Sequence, residues 1–333
     1  LEYRRREQLG YPLHLINIRG IVRSFTLKNL LVPFLVVTSL WQASRLLRRF
    51  RPQVVIGTGG YVAWPVGRAA ISAGIPLVLQ EQNSYPGIVT RRLAARASKL
   101  FLGFEEARRY LPETAATRVT GNPVRRSLLN GNREAALKKF KLDPRKKTIL
   151  VLGGSQGARA INRAVLRSLQ NTTWSECCQL LWQTGKRGYT EVVAQAGDRV
   201  TGHTLFPFAD DMAAVYAAAD IAIARAGALT LAELEACRVP AVLIPYPYAA
   251  GDHQRKNAQS LVARDCARLL NEEELSHRDI LAVAAQLLTS GEAEQMKRHL
   301  ATSAPKEPAV DVIAREVIAI AQQQLPQEER IAD

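Results

Sequence analysis

The chain is poor in the sulfur-bearing residues, with four cysteines (Cys177, Cys178, Cys237 and Cys266) and two methionines (Met212 and Met296). No cysteine pair has CxxC spacing and none has a histidine at metal-ligand spacing. This excludes a disulfide framework or a zinc site and suits a reducing compartment. A spanning segment is also missing. The uncharged stretch 29–44 holds 16 residues, short of the roughly 20 that cross a bilayer as a helix. No Walker loop occurs, because no glycine loop runs into GKS or GKT. No helix-turn-helix or RNP pattern appears, and the cations are not interleaved with aromatics as in single-strand binders. No signal peptide is expected, and no internal repeat appears. The sequence opens on Leu1, so it is expected to start inside a longer reading frame or to have been processed.

What is present is ample apolar material and an uneven charge. The 333 residues suffice for two domains, and 47% are hydrophobic. Residues 1–150 carry 27 Lys and Arg against 8 Asp and Glu, a balance of +19, whereas residues 151–333 carry 18 against 22, a balance of −4. A basic half implies an acidic partner surface, either nucleic acid or an anionic membrane.

Apolar runs alternate with helical segments, the pattern of an α/β protein with parallel sheets. The runs fall at 13–18, 54–56, 77–80, 99–102 and 118–120, then at 148–152, 179–182, 200–205, 221–224, 241–244 and 267–269. Helices are expected at 30–49, 64–73, 88–95, 158–169, 212–218, 229–237, 254–264 and 310–324. The basic segment 130–147 separates the halves. Segment 27–51 reads either as a buried amphipathic helix or as an interfacial patch. In the second reading Phe34, Val37 and Trp41 enter lipid and Arg45 and Arg48 meet head groups, with Trp64 in the same patch.

Three turns have the context that cradles phosphate, a strand followed by small residues and then a helix. They are Gly57-Thr58-Gly59-Gly60-Tyr61, the segment 153–158 reading GGSQGA, and ARAGALTLAE at 224–233. In the last, Ala226, Gly227 and Ala228 let a ligand approach the backbone closely. The helix that follows turns its unpaired N–H groups and positive dipole end to that ligand. Glu233 lies about one turn on, where a carboxylate can bind a sugar diol. Each turn taken singly also serves to pack a helix on its sheet. Neither glycine loop fits GxGxxG with an acidic residue about 20 positions later. His253, Gln254 and Asn257 open a helix after IPYPY; Gln254 suits sugar hydroxyls, and His253 and Asn257 serve equally as capping groups.

Taken together, GTGGYVAWP (57–65), EQNSYPG (81–87), TGNPVR (120–125), LVLGGSQGARAIN (150–162), WQTGK (182–186), the segment 210–233 and DHQRKNA (252–258) resemble the MurG family of peptidoglycan N-acetylglucosaminyltransferases. The resemblance implies a GT-B fold of two Rossmann-like domains with parallel sheets facing a cleft. It places an acceptor and membrane-side domain at 1–124, completed by the C-terminal helix 310–325, and a UDP-sugar domain at 125–309. It implies inverting transfer of N-acetylglucosamine from UDP-GlcNAc to a lipid-linked muramyl-pentapeptide at the cytoplasmic face of the membrane. Carried over by motif, Ser155 contacts the diphosphate and Arg125 lies in the donor site. The backbone of Ala209 recognises uracil. Ala228, Leu229 and Thr230 meet the donor, Glu233 the ribose and Gln254 the sugar. Asn83 reaches the donor from the first domain, and Gly57, Gly59, Gly60 and Tyr61 form the acceptor-side loop. No tightly bound cofactor is implied, only a non-essential divalent cation with the UDP-sugar, because no DxD pair is present and Asp210-Asp211 is not that motif.

The family opens with a strand and a GGTGGH loop whose histidine is considered for catalysis, and neither precedes Leu1. The chain as written is therefore expected to bind UDP-sugar weakly and to transfer little. Glu81 stands as a general base or as an organiser of its loop. Other readings keep the fold and change the acceptor to a diacylglycerol or a natural product, or the reaction to sugar epimerisation. A basic nucleic-acid binder is the reading from a different class.

Overall fold

A computed structural model describes residues 10–18, 32–153, 158–171, 173–305 and 307–324. The first sheet joins β1 (Val55–Gly57), β2 (Leu77–Glu81), β3 (Lys99–Leu102) and β4 (Thr117–Val119) in sequence order, all parallel. Helices α1 (Val32–Phe50), α2 (Gly60–Ser72) and α3 (Ile88–Leu93) accompany it. Every residue of β2 is buried, as expected where helices cover both faces of a parallel sheet.

The second sheet is larger. It is preceded by α4 (Arg133–Lys139) and built from β5 (Lys147–Leu152), β6 (Cys178–Gln183), β7 (Thr204–Phe206), β8 (Ile221–Ala224), β9 (Ala241–Leu243) and β10 (Ala267–Leu269). Its order is β10-β9-β8-β5-β6-β7, again wholly parallel. The chain moves outward from β5 to β6 and β7, then returns to lay β8 on the other side of β5. The order thus reverses between β5 and β8. In an open α/β sheet that reversal leaves a crevice at the carboxyl ends of the strands, because the two following helices lie on opposite faces. Connecting helices are α5 (Arg159–Ser168), α6 (Tyr189–Ala196), α7 (Met212–Ala218), α8 (Ala228–Ala236) and α9 (His253–Val262). Trp182 of β6 is fully buried, and its indole N–H donates to Asn162 Oδ1 at 3.1 Å. The Asn162 amide in turn donates to the Thr184 carbonyl at 2.9 Å, so this buried polar chain is satisfied.

Helices α10 (Ile280–Thr289) and α11 (Glu292–Ser303) close the second unit, and α12 (Ala309–Gln322) returns to the first sheet. There Glu316 pairs with Lys99 of β3 at 3.2 Å and with Arg118 of β4, and Asp311 pairs with Arg126.

Two local expectations are corrected. Residues 13–18 form no strand; the Asn17 N–H bonds to the Gln42 side chain on α1 at 2.9 Å, so this backbone is tied to a helix rather than to a sheet edge. The run 200–205 is broken by Gly202 in the left-handed region, φ 79°, which confines β7 to its last part. The basic segment 130–147 contains α4, capped by Asn132 Oδ1 on the Ala135 N–H at 2.9 Å.

Candidate active site

The crevice between β5 and β8 opens on Ala226, Gly227 and the first turn of α8. Gly227 is the N-cap and supplies no side-chain cap. The first intrahelical bond is Leu231 N–H to the Gly227 carbonyl at 3.0 Å. The N–H groups of Ala228, Leu229 and Thr230 therefore stand without helical partners, at the positive end of the helix dipole. Ala228 is buried, Thr230 half-buried and Leu229 exposed.

Glu233 is the sixth residue of α8, on the same helix and half-buried. One oxygen accepts the Tyr216 hydroxyl at 2.7 Å; the other has no donor among the described residues. Burial, and then the adjacent Glu233 carboxylate, push the Tyr216 phenol above its ordinary value. The same two causes raise the Cys237 thiol to about 11. Tyr216 is thus a fixed neutral donor that sets the carboxylate's direction.

Ala209 presents its backbone beside the end of β6, where its N–H donates to Gln183 Oε1 at 3.0 Å. Asp211, two residues on, caps α7 through the Ala214 N–H at 3.1 Å. The Lys139 ammonium at 2.6 Å is the chief cause holding the Asp211 carboxyl below its usual range. Gln254 lies in the first turn of α9, and its Oε1 accepts the Tyr246 N–H at 3.0 Å, leaving the amide nitrogen free to donate. Ser155 lies outside the described residues. Arg125 is exposed and pairs with no carboxylate among the described residues.

The facing wall comes from the carboxyl ends of β1 and β2. Gly57 is buried at the end of β1, where a Cβ would lie 2.9 Å from Leu79 Cδ2. Gly59 and Gly60 take φ 88° and 74°, a left-handed pair that glycine adopts without strain, and Tyr61 stands exposed beyond them. Glu81 is buried, and its two oxygens accept four hydrogen bonds. Oε1 takes the Asn83 N–H at 3.0 Å and the Asn83 amide at 3.3 Å; Oε2 takes the Gly87 N–H at 3.0 Å and the Thr90 hydroxyl at 2.7 Å. The Asn83 carbonyl meets Asn257 of α9 at 3.2 Å, so the two walls touch here.

Two residues that organise the site were given no role from sequence. Arg225 donates to the Ile244 and Pro245 carbonyls at 3.2 and 3.1 Å, pairs with Glu272 and stacks over Tyr246. It thereby fixes the strand exit that Gln254 also holds. Its signal was a lone cation inside the apolar run IAIARAGA. Gln183 is the second; it lies in the WQTGK segment, whose resemblance gave it no role.

On α1, Phe34, Val37 and Trp41 are 68%, 66% and 57% exposed, and Arg45 and Arg48 are exposed along the same stripe. The opposite face buries Ser39, Ala43 and Leu47. The helix thus turns a row of apolar side chains outward, continued by cations. Arg45 lies 5.6 Å from the Trp41 ring. Trp64 is not in that row; it packs half-buried against the core of the first sheet. Among the described residues no helix is long and apolar enough to cross a membrane, and no group of three or more His, Cys, Asp or Glu side chains can hold a metal.

Two parallel-sheet α/β units, with a nucleotide-type crevice at the switch point of one and strand ends of the other facing it, define a GT-B type protein. Residues 1–102 match the glycosyltransferase family 28 N-terminal domain and residues 148–313 its C-terminal domain; the chain belongs to that family. It is 39% identical over 329 residues to the UDP-N-acetylglucosamine–N-acetylmuramyl-(pentapeptide) pyrophosphoryl-undecaprenol N-acetylglucosamine transferase of Bacteroides fragilis, covering 97% of this chain and 86% of that protein. It is 41% identical over 318 residues to the protein of the same name from Symbiobacterium thermophilum, covering 95% and 84%. Among solved structures it resembles Acinetobacter baumannii MurG, with a TM-score of 0.73 at 27% identity over 97% of this chain and 88% of that one. A UDP-GlcNAc 2-epimerase from Neisseria meningitidis shares the fold at 14% identity, TM-score 0.57, over 90% and 84%.

Proposed function

We propose that this chain transfers N-acetylglucosamine from UDP-GlcNAc, with inversion, to the undecaprenyl-diphosphate-linked muramyl-pentapeptide, a step of peptidoglycan synthesis. The observation that carries this reading is the uncapped start of α8 at the β5/β8 crevice, with the Glu233 carboxylate oriented by Tyr216 on the same helix. As the sugar leaves, negative charge grows on the UDP diphosphate. The free amides of Ala228, Leu229 and Thr230 and the helix dipole are aimed at such charge before the reaction begins, so no reorganisation is needed when it develops. Glu233 takes the ribose hydroxyls with its free oxygen. The Ala209 backbone meets uracil, with Gln183 holding its N–H until the base arrives. Ser155 and Arg125 add to the diphosphate grip, and any divalent cation enters with the donor.

Gln254 reads the sugar through its unused amide N–H. Asn83 reaches in from the opposite wall. Glu81, with both oxygens engaged, orients the Asn83 loop instead of taking the acceptor proton. Gly57, Gly59, Gly60 and Tyr61 line the acceptor side. The row Phe34, Val37, Trp41, Arg45 and Arg48 seats the first unit on the cytoplasmic face of the membrane, where the lipid-linked acceptor is embedded; apolar burial and attraction to anionic head groups act together there. The test is a transfer assay with labelled UDP-GlcNAc and the lipid-linked acceptor in vesicles. Labelled lipid product is expected. Turnover of the donor to an epimer, with no label in lipid, would overturn the reading.

A further inference from the structure

One face of α9 is built against the first unit. Residues 253, 256, 257 and 260 follow the i, i+3, i+4, i+7 spacing of a single helix face, and three of them bind across the units. Asn257 is fully buried. Its Oδ1 accepts both the N–H and the hydroxyl of Ser84, each at 2.9 Å. Its Nδ2 donates to the Asn83 carbonyl oxygen Oδ1 at 3.2 Å and to the Ala226 backbone carbonyl at 3.3 Å. Every donor and acceptor of this amide is used. A single side chain therefore joins the loop after β2, the turn before α8 and the body of α9.

The neighbouring contacts reinforce the same junction. Lys256 Nζ lies 3.6 Å from the Tyr85 ring centre and 5.3 Å from that of Tyr110. The two rings meet edge to face with centroids 4.7 Å apart. A cation held over aromatic faces at this range is attracted by the ring quadrupole. The backbone leading into α9 is packed equally closely: a Cβ on Gly251 would lie 2.8 Å from Tyr85 Cε1. One turn further on, the Ser260 hydroxyl donates to Glu106 at 2.8 Å. Behind this contact lies a cavity of about 500 Å³ lined by Phe104, Glu106, Glu235, Ser260 and Pro305. The junction therefore stands between the catalytic crevice and a void, and side-chain contacts rather than continuous packing hold the walls in register.

We infer that Asn257 is a positioning residue for transfer, and that Ser84, Tyr85 and Lys256 complete with it a clasp between the two units. The clasp fixes the Asn83 loop against the Ala226 turn and so sets the gap that the sugar crosses. This rests on the transferase reading. The nucleotide grip itself belongs to the second unit and does not need the clasp. Loosening the clasp therefore lowers turnover and leaves nucleotide affinity in place.

The test uses the full chain with Asn257→Asp, Ser84→Ala and Lys256→Met. Asn257→Asp keeps the shape and removes both N–H donors. UDP affinity is read by calorimetry and kcat by transfer to the lipid-linked acceptor at saturating UDP-GlcNAc. Expected is a fall in kcat of at least about tenfold for Asn257→Asp, and smaller falls for the other two, with the UDP dissociation constant held within about threefold. A spin label on each unit is expected to report a broader distance distribution in Asn257→Asp than in wild type. Unchanged kcat in all three variants, or kcat and UDP affinity falling in step, overturns the clasp. If Asn257→Asp does not fold, Ser84→Ala and Lys256→Met decide by the same two readouts. If the wild type makes no lipid product, the transferase reading fails, and the spin-label distances still decide whether the clasp holds the units in register.

Discussion

The two units use apolar residues in opposite ways. In the second, β5, β6, β8 and β9 are almost wholly buried, and Trp182, Leu180 and Leu181 have no exposed surface. In the first, Phe34, Val37 and Trp41 project outward from α1, beside arginines that find no carboxylate among the described residues. The charge leans the same way, +12 in residues 1–124 and +3 in residues 125–333. A buried sheet supplies a rigid platform whose strand ends hold a small polar ligand. An exposed apolar and basic stripe suits a surface that is itself apolar and anionic. In the proposed reading, one chain joins a unit that grips a soluble donor to a unit that meets a membrane-borne acceptor.

The comparison can be broken from either side. The largest effect is expected in the platform: Trp182→Ala should cost about 3–5 kcal/mol through lost burial and the cavity left behind. Denaturant unfolding checks this, and a loss under about 1 kcal/mol would mean that the second core does not depend on this ring. Next comes the site. Glu233→Ala is expected to lower kcat/KM about a hundredfold, about 2.7 kcal/mol, since it removes a charged acceptor and strands the buried Tyr216 hydroxyl. Unfolding curves run alongside separate the site effect from the cost to the fold.

The membrane side follows. Replacing Arg45 and Arg48 by Gln is expected to weaken binding to anionic vesicles by about 1 kcal/mol for each cation removed, with no change in UDP affinity. Equal sedimentation of variant and wild type would contradict the stripe's role. The smallest effect concerns pH. Burial holds the His203 imidazole below its ordinary 6.5. The unfolded chain then takes up a proton before the folded one, so stability is complete above about 6.5 and falls as pH drops through the lowered folded value. His203→Gln is expected to flatten that slope in melting curves, and an unaltered slope would remove His203 as its source.

Much of the architecture could be read from sequence because parallel strands buried on both faces are continuous apolar runs. The runs at 99–102, 221–224 and 267–269 coincide with β3, β8 and β10. Segment 13–18 was misleading because alternation alone does not say whether a strand partner exists, and here the partner is a glutamine on α1. Helices α6, α10 and α11 were not anticipated, although Asp279 caps α10 through the Ala282 N–H at 3.0 Å and was visible as a start signal. Within the site, the small residues of 226–228 signal a close backbone approach by their composition. The engagement of Asn257 with Asn83 and Ser84 could not be read, since those residues lie more than 170 positions away and no local period links them. Likewise the four donors on Glu81 appear only once its loop is folded.

The most direct measurement is transfer of label from UDP-GlcNAc to the lipid-linked muramyl-pentapeptide in vesicles, comparing the wild type with Glu233→Ala. The account predicts an inverted, lipid-soluble labelled product that falls about a hundredfold in the variant. Label that enters no lipid, or enters it equally in both proteins, would contradict it.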